Sequence, residues 1–132
     1  MSYVEEKNQK AELKGIRILV VDDSDDLREI LEFVLKANGA EVDSARDGAE
    51  AILKAQDVPY DIILMDMRMP GMDGSDTAEK IRAKSSNIKI IALTGDVDRD
   101  KFMKEKSPFN AYVVKPVDPA NLSQSILKTL AA

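Results

Sequence analysis

Five short apolar runs alternate along the chain with segments whose apolar residues recur at helical spacing. Short runs rich in Val, Ile and Leu are typical of β-strands. Strands that alternate with helices predict a parallel α/β sheet covered on both faces, because each helical crossover returns the chain to the same end of the sheet. The predicted strands are residues 16–21, 40–44, 61–65, 88–93 and 111–114.

The segments between these runs carry residues that begin and end helices. Ser24 is a suitable N-cap for a stripe that runs to Leu35, and Gly39 is expected to end that helix. Asp118 before Pro119 indicates the start of the last helix. The other helices are predicted over residues 49–55, 75–84 and 98–106. The second run alternates polar and apolar residues, so it is predicted at an edge of the sheet, outside the fully apolar runs.

The length of 132 residues fits one compact domain, predicted over residues 16–132 after a polar lead-in over residues 1–15. The absence of Cys and His excludes disulfides, the usual zinc sites and imidazole-based catalysis. A net charge of −5 argues against direct nucleic-acid binding. No apolar run approaches the roughly 18 residues of a membrane span, so a cytoplasmic protein is expected.

Polar residues follow the apolar runs at the positions where an open parallel sheet binds its ligands. The first run is followed by Asp22 and Asp23, the third by Asp66, the fourth by Thr94 and the fifth by Lys115. Taken singly, such residues are often helix caps or solvated loop side chains. Their joint occurrence at successive strand ends favours a site.

If the first and third strands are neighbours, three carboxylates converge and repel one another at a cost on the order of several kcal/mol. Oxygen ligands without His or Cys suit a hard cation such as Mg²⁺, and Lys115 supplies a second positive charge. One carboxylate can then act as a nucleophile toward a phosphoryl group. The metal, the lysine ammonium and the Thr94 hydroxyl would bind the phosphoryl oxygens.

Four segments carry a family resemblance: "ILVVDDS", "DIILMDMRMPGMDG", "IIALTGD" and "YVVKPVD", in this order. Over residues 16–130 the chain resembles a response-regulator receiver domain. The resemblance implies a doubly wound, flavodoxin-like sheet of five parallel strands in the order 2-1-3-4-5. It also implies a phosphoacceptor of two-component signalling, which is not an enzyme. Its partners would be a histidine kinase or histidine phosphotransfer protein and an unknown downstream protein.

The resemblance also implies a role for each residue of the site. Asp66 would accept the phosphoryl group from a phosphohistidine, and Thr94 and Lys115 would contact that group. The implied Mg²⁺ ligands are Asp22, Asp23, Asp66 and the backbone carbonyl of Arg68. The Lys115–Pro116 bond is expected to be cis. Tyr112 would act with Thr94 as the switch, although a tyrosine there can also simply fill the flank of the sheet.

Arg68 lies two residues after Asp66, and Asp96 lies two residues after Thr94. In the receiver family these positions flank the path of the attacking water. Our hypothesis is that the two side chains form an ion pair over the phosphoryl group and slow its hydrolysis. The alternative is two unrelated exposed side chains, since surface pairs contribute little.

Two other functions fit parts of the sequence. "DSDDL" and "IIALT" resemble motifs of haloacid-dehalogenase-type phosphatases, but the lysine follows the acidic pair of "GDVDRD" instead of preceding it. A pseudo-receiver would keep the fold and signal without phosphate. The chain ends soon after the last predicted helix, so no output domain is expected. A monomer or weak dimer would act through another protein, or as part of a parent such as a hybrid histidine kinase.

Overall fold

The computed structural model describes residues 12–95 and 107–132. The five strands are β1 (Arg17–Val21), β2 (Glu41–Ala45), β3 (Ile62–Asp66), β4 (Lys89–Thr94) and β5 (Ala111–Val114). The helices of the described ranges are α1 (Asp25–Ala37), α2 (Gly48–Asp57), α3 (Gly74–Lys84) and α4 (Pro119–Ala131). Each predicted strand agrees with its observed counterpart to within one residue at either end. The helix predicted over residues 98–106 lies outside the described residues.

All five strands are parallel and form one sheet in the order β2-β1-β3-β4-β5. This confirms the predicted doubly wound topology. Strand β3 is buried along its whole length, as is β4 except at its first residue. Strand β2 forms one edge, and its exposed and partly buried residues alternate. The alternation in the sequence therefore identified an edge strand correctly, because an edge strand has a neighbouring strand on one side alone and is less completely buried than the central strands.

Two hydrophobic clusters pack on the two faces of the sheet. On one face, Leu31 of α1 and Leu122 of α4 pack against alternate strand residues such as Ile18. On the other face, Ala51 of α2 and Ile81 of α3 pack against the strand residues in between. The sheet is thus covered on both sides, so the edge formed by the strand ends is where polar groups from several strands meet solvent.

The helix termini agree with the residues expected to cap them. The Ser24 hydroxyl accepts a hydrogen bond from the Leu27 N–H at 3.3 Å, and Asp118 accepts one from the Ala120 N–H at 3.1 Å. Gly39 follows α1 with a φ of 97°, a conformation that favours glycine. None of the helices within the two described ranges has the length and apolar character needed to cross a membrane.

Leu13 extends the packed core toward the N-terminus. Its side chain is fully buried in the cluster formed with α1 and α4, and its N–H donates to the Asn38 carbonyl at 2.9 Å. The domain boundary at residue 16 stays a prediction, and residues 1–11 of the lead-in lie outside the described part of the chain.

Candidate functional site

Three carboxylates meet at the carboxyl ends of β1 and β3. These strands are neighbours, with Val21 opposite Met65, so the residues that follow them lie side by side. Oxygen atoms of Asp22, Asp23 and Asp66 all lie within 4.8 Å of one another. Asp22 and Asp66 are buried, with 1% and 5% of their surface exposed, whereas Asp23 is exposed. The site is an acidic crevice with two buried groups and one facing solvent.

Lys115 places a positive charge against the two buried carboxylates of this crevice. It follows β5, and its N–H donates to the Thr94 carbonyl at 2.7 Å. Its Nζ lies 3.1 Å from Asp22 Oδ2 and 3.1 Å from Asp66 Oδ1. The Lys115–Pro116 bond is cis, as expected. One ammonium therefore bridges the two buried carboxylates from two strands away.

Burial dominates the electrostatics of Asp66. Desolvation, followed by repulsion from Asp22, raises the pKa of Asp66, while Lys115 and the Arg68 N–H oppose the shift. Burial alone would lower the pKa of Lys115, but its hydrogen bonds and ion pairs with Asp66 and Asp22 outweigh that effect, so the pKa is raised. The lysine is therefore charged at neutral pH and only partly compensates the acidic pair.

The hydrogen bonds distinguish Asp66 from Asp22. Both oxygens of Asp22 are engaged, Oδ1 by the Ser24 N–H at 2.9 Å and Oδ2 by Lys115. The hydrogen bonds to Asp66 both go to Oδ1, from Lys115 at 3.1 Å and from the Arg68 N–H at 3.3 Å. Within the described ranges no residue donates to Asp66 Oδ2. Asp66 thus has an oxygen left for chemistry.

The loop after β3 brings the start of α3 against the backbone of Asp66. A Cβ on Gly74 would lie 2.3 Å from the Asp66 carbonyl oxygen and 2.9 Å from the Met67 Cα, so only glycine fits there. Arg68 follows β3 in this loop and is exposed. Asp96, its hypothetical ion-pair partner, lies outside the described residues, so the proposed pair stays a hypothesis.

Thr94 and Tyr112 lie on the same face of the sheet. Thr94 ends β4 with 4% of its surface exposed, and Ala92, two residues earlier, is opposite Tyr112 of β5. Ala92 and Tyr112 both belong to the cluster under α2 and α3. Because side chains alternate along a strand, Thr94 and Tyr112 project from one face, on neighbouring strands and two residues apart in register.

Two further residues near the site were not identified from the sequence. Arg28 of α1 donates from Nη1 to the Asp22 carbonyl at 2.7 Å and forms an ion pair with Asp25. Ser107 lies 2.7 Å from the Tyr112 hydroxyl through its Oγ. Neither residue belongs to a motif, and an arginine near the start of a helix or a serine in a loop is ordinary on a protein surface. Only the three-dimensional contacts identify them.

The donor set is suited to a hard divalent cation. All three converging groups are carboxylates, and their oxygens are close enough to reach one ion together. Two of them are buried, so a divalent charge would relieve repulsion that Lys115 alone compensates only partly. The residues present therefore fit Mg²⁺ or a similar ion.

Comparison with known proteins gives one consistent result. The family model described as "response regulator receiver domain" matches residues 18–127. The DNA-binding response regulator MtrA of Mycolicibacterium smegmatis is 36% identical over 107 residues, which cover 80% of this chain but 46% of MtrA. The chain therefore spans about half the length of this curated relative.

Two solved structures are similar over nearly their whole length. The response regulator TrrA of Thermotoga maritima, in complex with Mg²⁺ and BeF, has a TM-score of 0.79 and 36% identity, covering 86% of this chain and 98% of TrrA. The receiver domain of a sensor histidine kinase from Pseudomonas aeruginosa has a TM-score of 0.81 and 31% identity. The match covers 89% of this chain and 99% of that receiver domain. That structure has a magnesium ion coordinated in its active-site cleft.

Proposed function

The chain belongs to the response regulator receiver domain family, and we propose that Asp66 is the residue on which this receiver accepts its phosphoryl group. Receivers are phosphoacceptors of two-component signalling and not classical enzymes. The family assignment sets aside the haloacid-dehalogenase-type alternative. The observation that supports Asp66 most is its pattern of hydrogen bonds, which engages Oδ1 and leaves Oδ2 without a donor from the described residues.

The proposed transfer uses Asp66 Oδ2 as the nucleophile. A phosphorus–oxygen bond forms at Oδ2 as the phosphorus–nitrogen bond of a phosphohistidine breaks, and the leaving imidazole takes up a proton. Lys115, already in contact with Oδ1, is placed to bind an oxygen of the incoming group, and the Thr94 hydroxyl is the second proposed contact. Such contacts position the group and compensate its charge, which is most of what phosphoryl transfer requires of a protein.

Mg²⁺ would be held by Asp22, Asp23 and Asp66, with the Arg68 carbonyl as the further ligand that the family resemblance implies. When bound, it would supply positive charge that compensates the phosphoryl oxygens. The chain contributes the geometry. Asp22 is fixed on both oxygens by Ser24 and Lys115, and the backbone of Asp66 is fixed by its close packing against Gly74.

The signal would be transmitted by Thr94 and Tyr112. A phosphoryl group on Asp66 adds charge and acceptor oxygens that can draw Thr94 toward it. The space that Thr94 leaves on its face of the sheet would allow Tyr112 to rotate toward the core. A downstream protein that prefers this conformation would read the phosphorylation state by a shift in population.

The proposed donors are histidine kinases or histidine phosphotransfer proteins. A panel of purified kinases, tested for phosphotransfer with Asp66→Ala as the blank, would identify the cognate one. A crystal structure with Mg²⁺ and beryllofluoride tests the acceptor directly. We expect the adduct on Asp66, and an adduct elsewhere would contradict the proposal. A pseudo-receiver would instead show undiminished signalling by an Asp66→Asn variant.

Mg²⁺ is expected to stabilise the protein more at pH 8 than at pH 5. Metal ligands must be ionised, and the raised pKa of Asp66 means that protons compete for this carboxylate at a higher pH than for an ordinary aspartate. The difference in melting temperature between samples with about 10 mM Mg²⁺, chosen to saturate the site, and samples with EDTA measures the stabilisation at each pH. An equal gain in melting temperature at both pH values would contradict this coupling.

The ion-pair hypothesis predicts shorter phosphoryl lifetimes for Arg68→Asn and for Asp96→Ala. Without the pair, water would reach the phosphoryl group more easily, and we expect hydrolysis to accelerate roughly three- to ten-fold, the effect of about 1 kcal/mol. Loss of radiolabel after removal of the donor measures the lifetime. Glu79→Ala, on the exposed side of α3, serves as the control. Wild-type lifetimes in both variants would end the hypothesis.

A further inference from the structure

The Tyr112 hydroxyl is bonded to a residue outside the phosphorylation site. Its oxygen lies 2.7 Å from Ser107 Oγ, and its ring contacts Phe109 edge-on with the ring centroids 5.8 Å apart. Tyr112 is only partly buried in this position. A rotation of Tyr112 toward the core would carry the hydroxyl away from Ser107 and break this hydrogen bond.

Ser107 is fixed by its surroundings. The Phe109 N–H donates to Ser107 Oγ at 3.2 Å, so the same oxygen is used in the turn that carries it. Arg82 of α3 ties this turn to the body of the domain, donating to the Pro108 carbonyl and to Asn110 Oδ1, both at 2.9 Å. Asn110 in turn exchanges hydrogen bonds with Ile90 of β4.

The fixed position of Ser107 decides what happens when Tyr112 moves. A serine on a loosely attached loop could follow the tyrosine and keep the bond. Here α3 and β4 both hold the turn, so the serine would stay in place while the ring rotates. The hydrogen bond would then be present in one state of the switch and absent in the other. Such a bond biases the equilibrium by its own net strength.

We propose that Ser107 is a positioning residue for the switch, whose hydroxyl holds Tyr112 in the outward conformation and sets how readily phosphorylation turns it inward. This inference rests on the proposed function, because it takes Tyr112 as the residue that responds to Asp66. Loss of an ordinary hydrogen bond changes an equilibrium constant about five-fold. Removing the Ser107 hydroxyl should therefore raise the inward population of Tyr112 about five-fold.

Beryllofluoride with Mg²⁺ provides the test, because a ligand that selects the inward state binds in proportion to its population. By isothermal titration calorimetry we expect Ser107→Ala to bind beryllofluoride about five-fold more tightly than the wild type. The pair Ser107→Thr and Ser107→Val separates the hydroxyl from the shape of the side chain. The threonine variant should behave as the wild type and the valine variant as the alanine variant.

A second background distinguishes a switch contact from a general effect on structure. In Tyr112→Phe, where the hydrogen bond is already lost, Ser107→Ala should leave beryllofluoride affinity unchanged. Wild-type beryllofluoride affinity in both the alanine and valine variants would overturn the inference. So would a Tyr112→Phe background in which Ser107→Ala tightens beryllofluoride binding as much as it does in the wild type. Failure of the wild type to bind beryllofluoride at Asp66 would instead overturn the proposed function, so the two failures are distinguishable.

Discussion

Asp66→Asn is expected to abolish phosphorylation and to stabilise the metal-free protein. The amide removes the nucleophilic carboxylate while keeping nearly the same shape, so phosphoramidate with Mg²⁺ should add no phosphoryl group. Intact-mass spectrometry measures the addition. Asp57→Asn, an exposed aspartate at the end of α2, is the matched control and should be labelled as the wild type is. Labelling of Asp66→Asn at the wild-type rate would contradict the assignment.

The gain in stability follows from the environment of Asp66. Burial and repulsion from Asp22 raise its pKa, so the ionised side chain is less favourable in the folded protein than in the unfolded chain. In the wild type the Asp66 carboxyl stays protonated to a higher pH in the folded protein than in the unfolded chain. The free energy of unfolding should therefore fall as the pH rises from about 4 through the folded-state pKa of Asp66. The Asp66→Asn variant should not show this decrease in stability, because the amide does not ionise.

Circular dichroism melts in EDTA across this pH range measure the difference in stability. At pH 7 we expect the melting temperature of Asp66→Asn to exceed that of the wild type by roughly 3–5 °C, which corresponds to about 1 kcal/mol. The difference should shrink as the pH falls through about 4 and below the ordinary pKa of an aspartate, because Asp66 then becomes protonated in both the folded and the unfolded state. A variant less stable than the wild type at pH 7 would mean that the carboxylate gains more from Lys115 than it loses by burial.

Lys115→Met is expected to slow phosphorylation by about 100-fold, the usual cost of removing one group that compensates charge in a transition state. Its Nζ contacts both buried carboxylates, so the substitution removes a positive charge from the centre of the site. Phosphorylation by phosphoramidate at saturating Mg²⁺ measures the rate. Lys128→Met, an exposed lysine on α4, is the control. A phosphorylation rate within about three-fold of the wild-type rate would contradict this role.

The same variant should be destabilised without metal. Removing the lysine leaves Asp22 and Asp66 buried without a cation, which costs about 3–5 kcal/mol for fully buried pairs. The Lys115 side chain is 29% exposed, so solvent screening reduces the expected loss to about 1–2 kcal/mol. Mg²⁺ should recover more stability in Lys115→Met than in the wild type, because it supplies the missing charge. Chemical denaturation with and without Mg²⁺ measures both quantities, and equal recovery would contradict the explanation.

Most elements of the fold could be predicted from the sequence because their signals are local. Strand β3 is apolar over its whole length, and Ser24 and Asp118 are caps that act on their own first turns. The alternation of such elements indicates a parallel sheet. The strand order came from the family resemblance instead, since apolar periodicity does not say which strands become neighbours.

The sequence predicted which chemical groups form the candidate site, and that assignment stays a prediction, but how these groups are arranged around one another required the tertiary structure. Asp22 and Asp66 come from strands that are distant in the sequence and adjacent in the sheet. Whether Lys115 contacts one carboxylate or both, and which oxygen of Asp66 it engages, depends on sheet register and burial. Leu13, assigned to the polar lead-in, is fully buried.

By itself the sequence determined which chemical groups stand at the ends of successive strands, namely carboxylates, a threonine and a lysine. It could do so because caps and apolar periodicity act over a few neighbouring residues. Only the tertiary structure decided that Lys115 bridges the two buried acids and that Gly74 touches the Asp66 carbonyl. It likewise decided that Ser107 meets the Tyr112 hydroxyl. These contacts depend on how distant segments pack together, and a residue's sequence neighbours carry no information about the partner that packing brings to it.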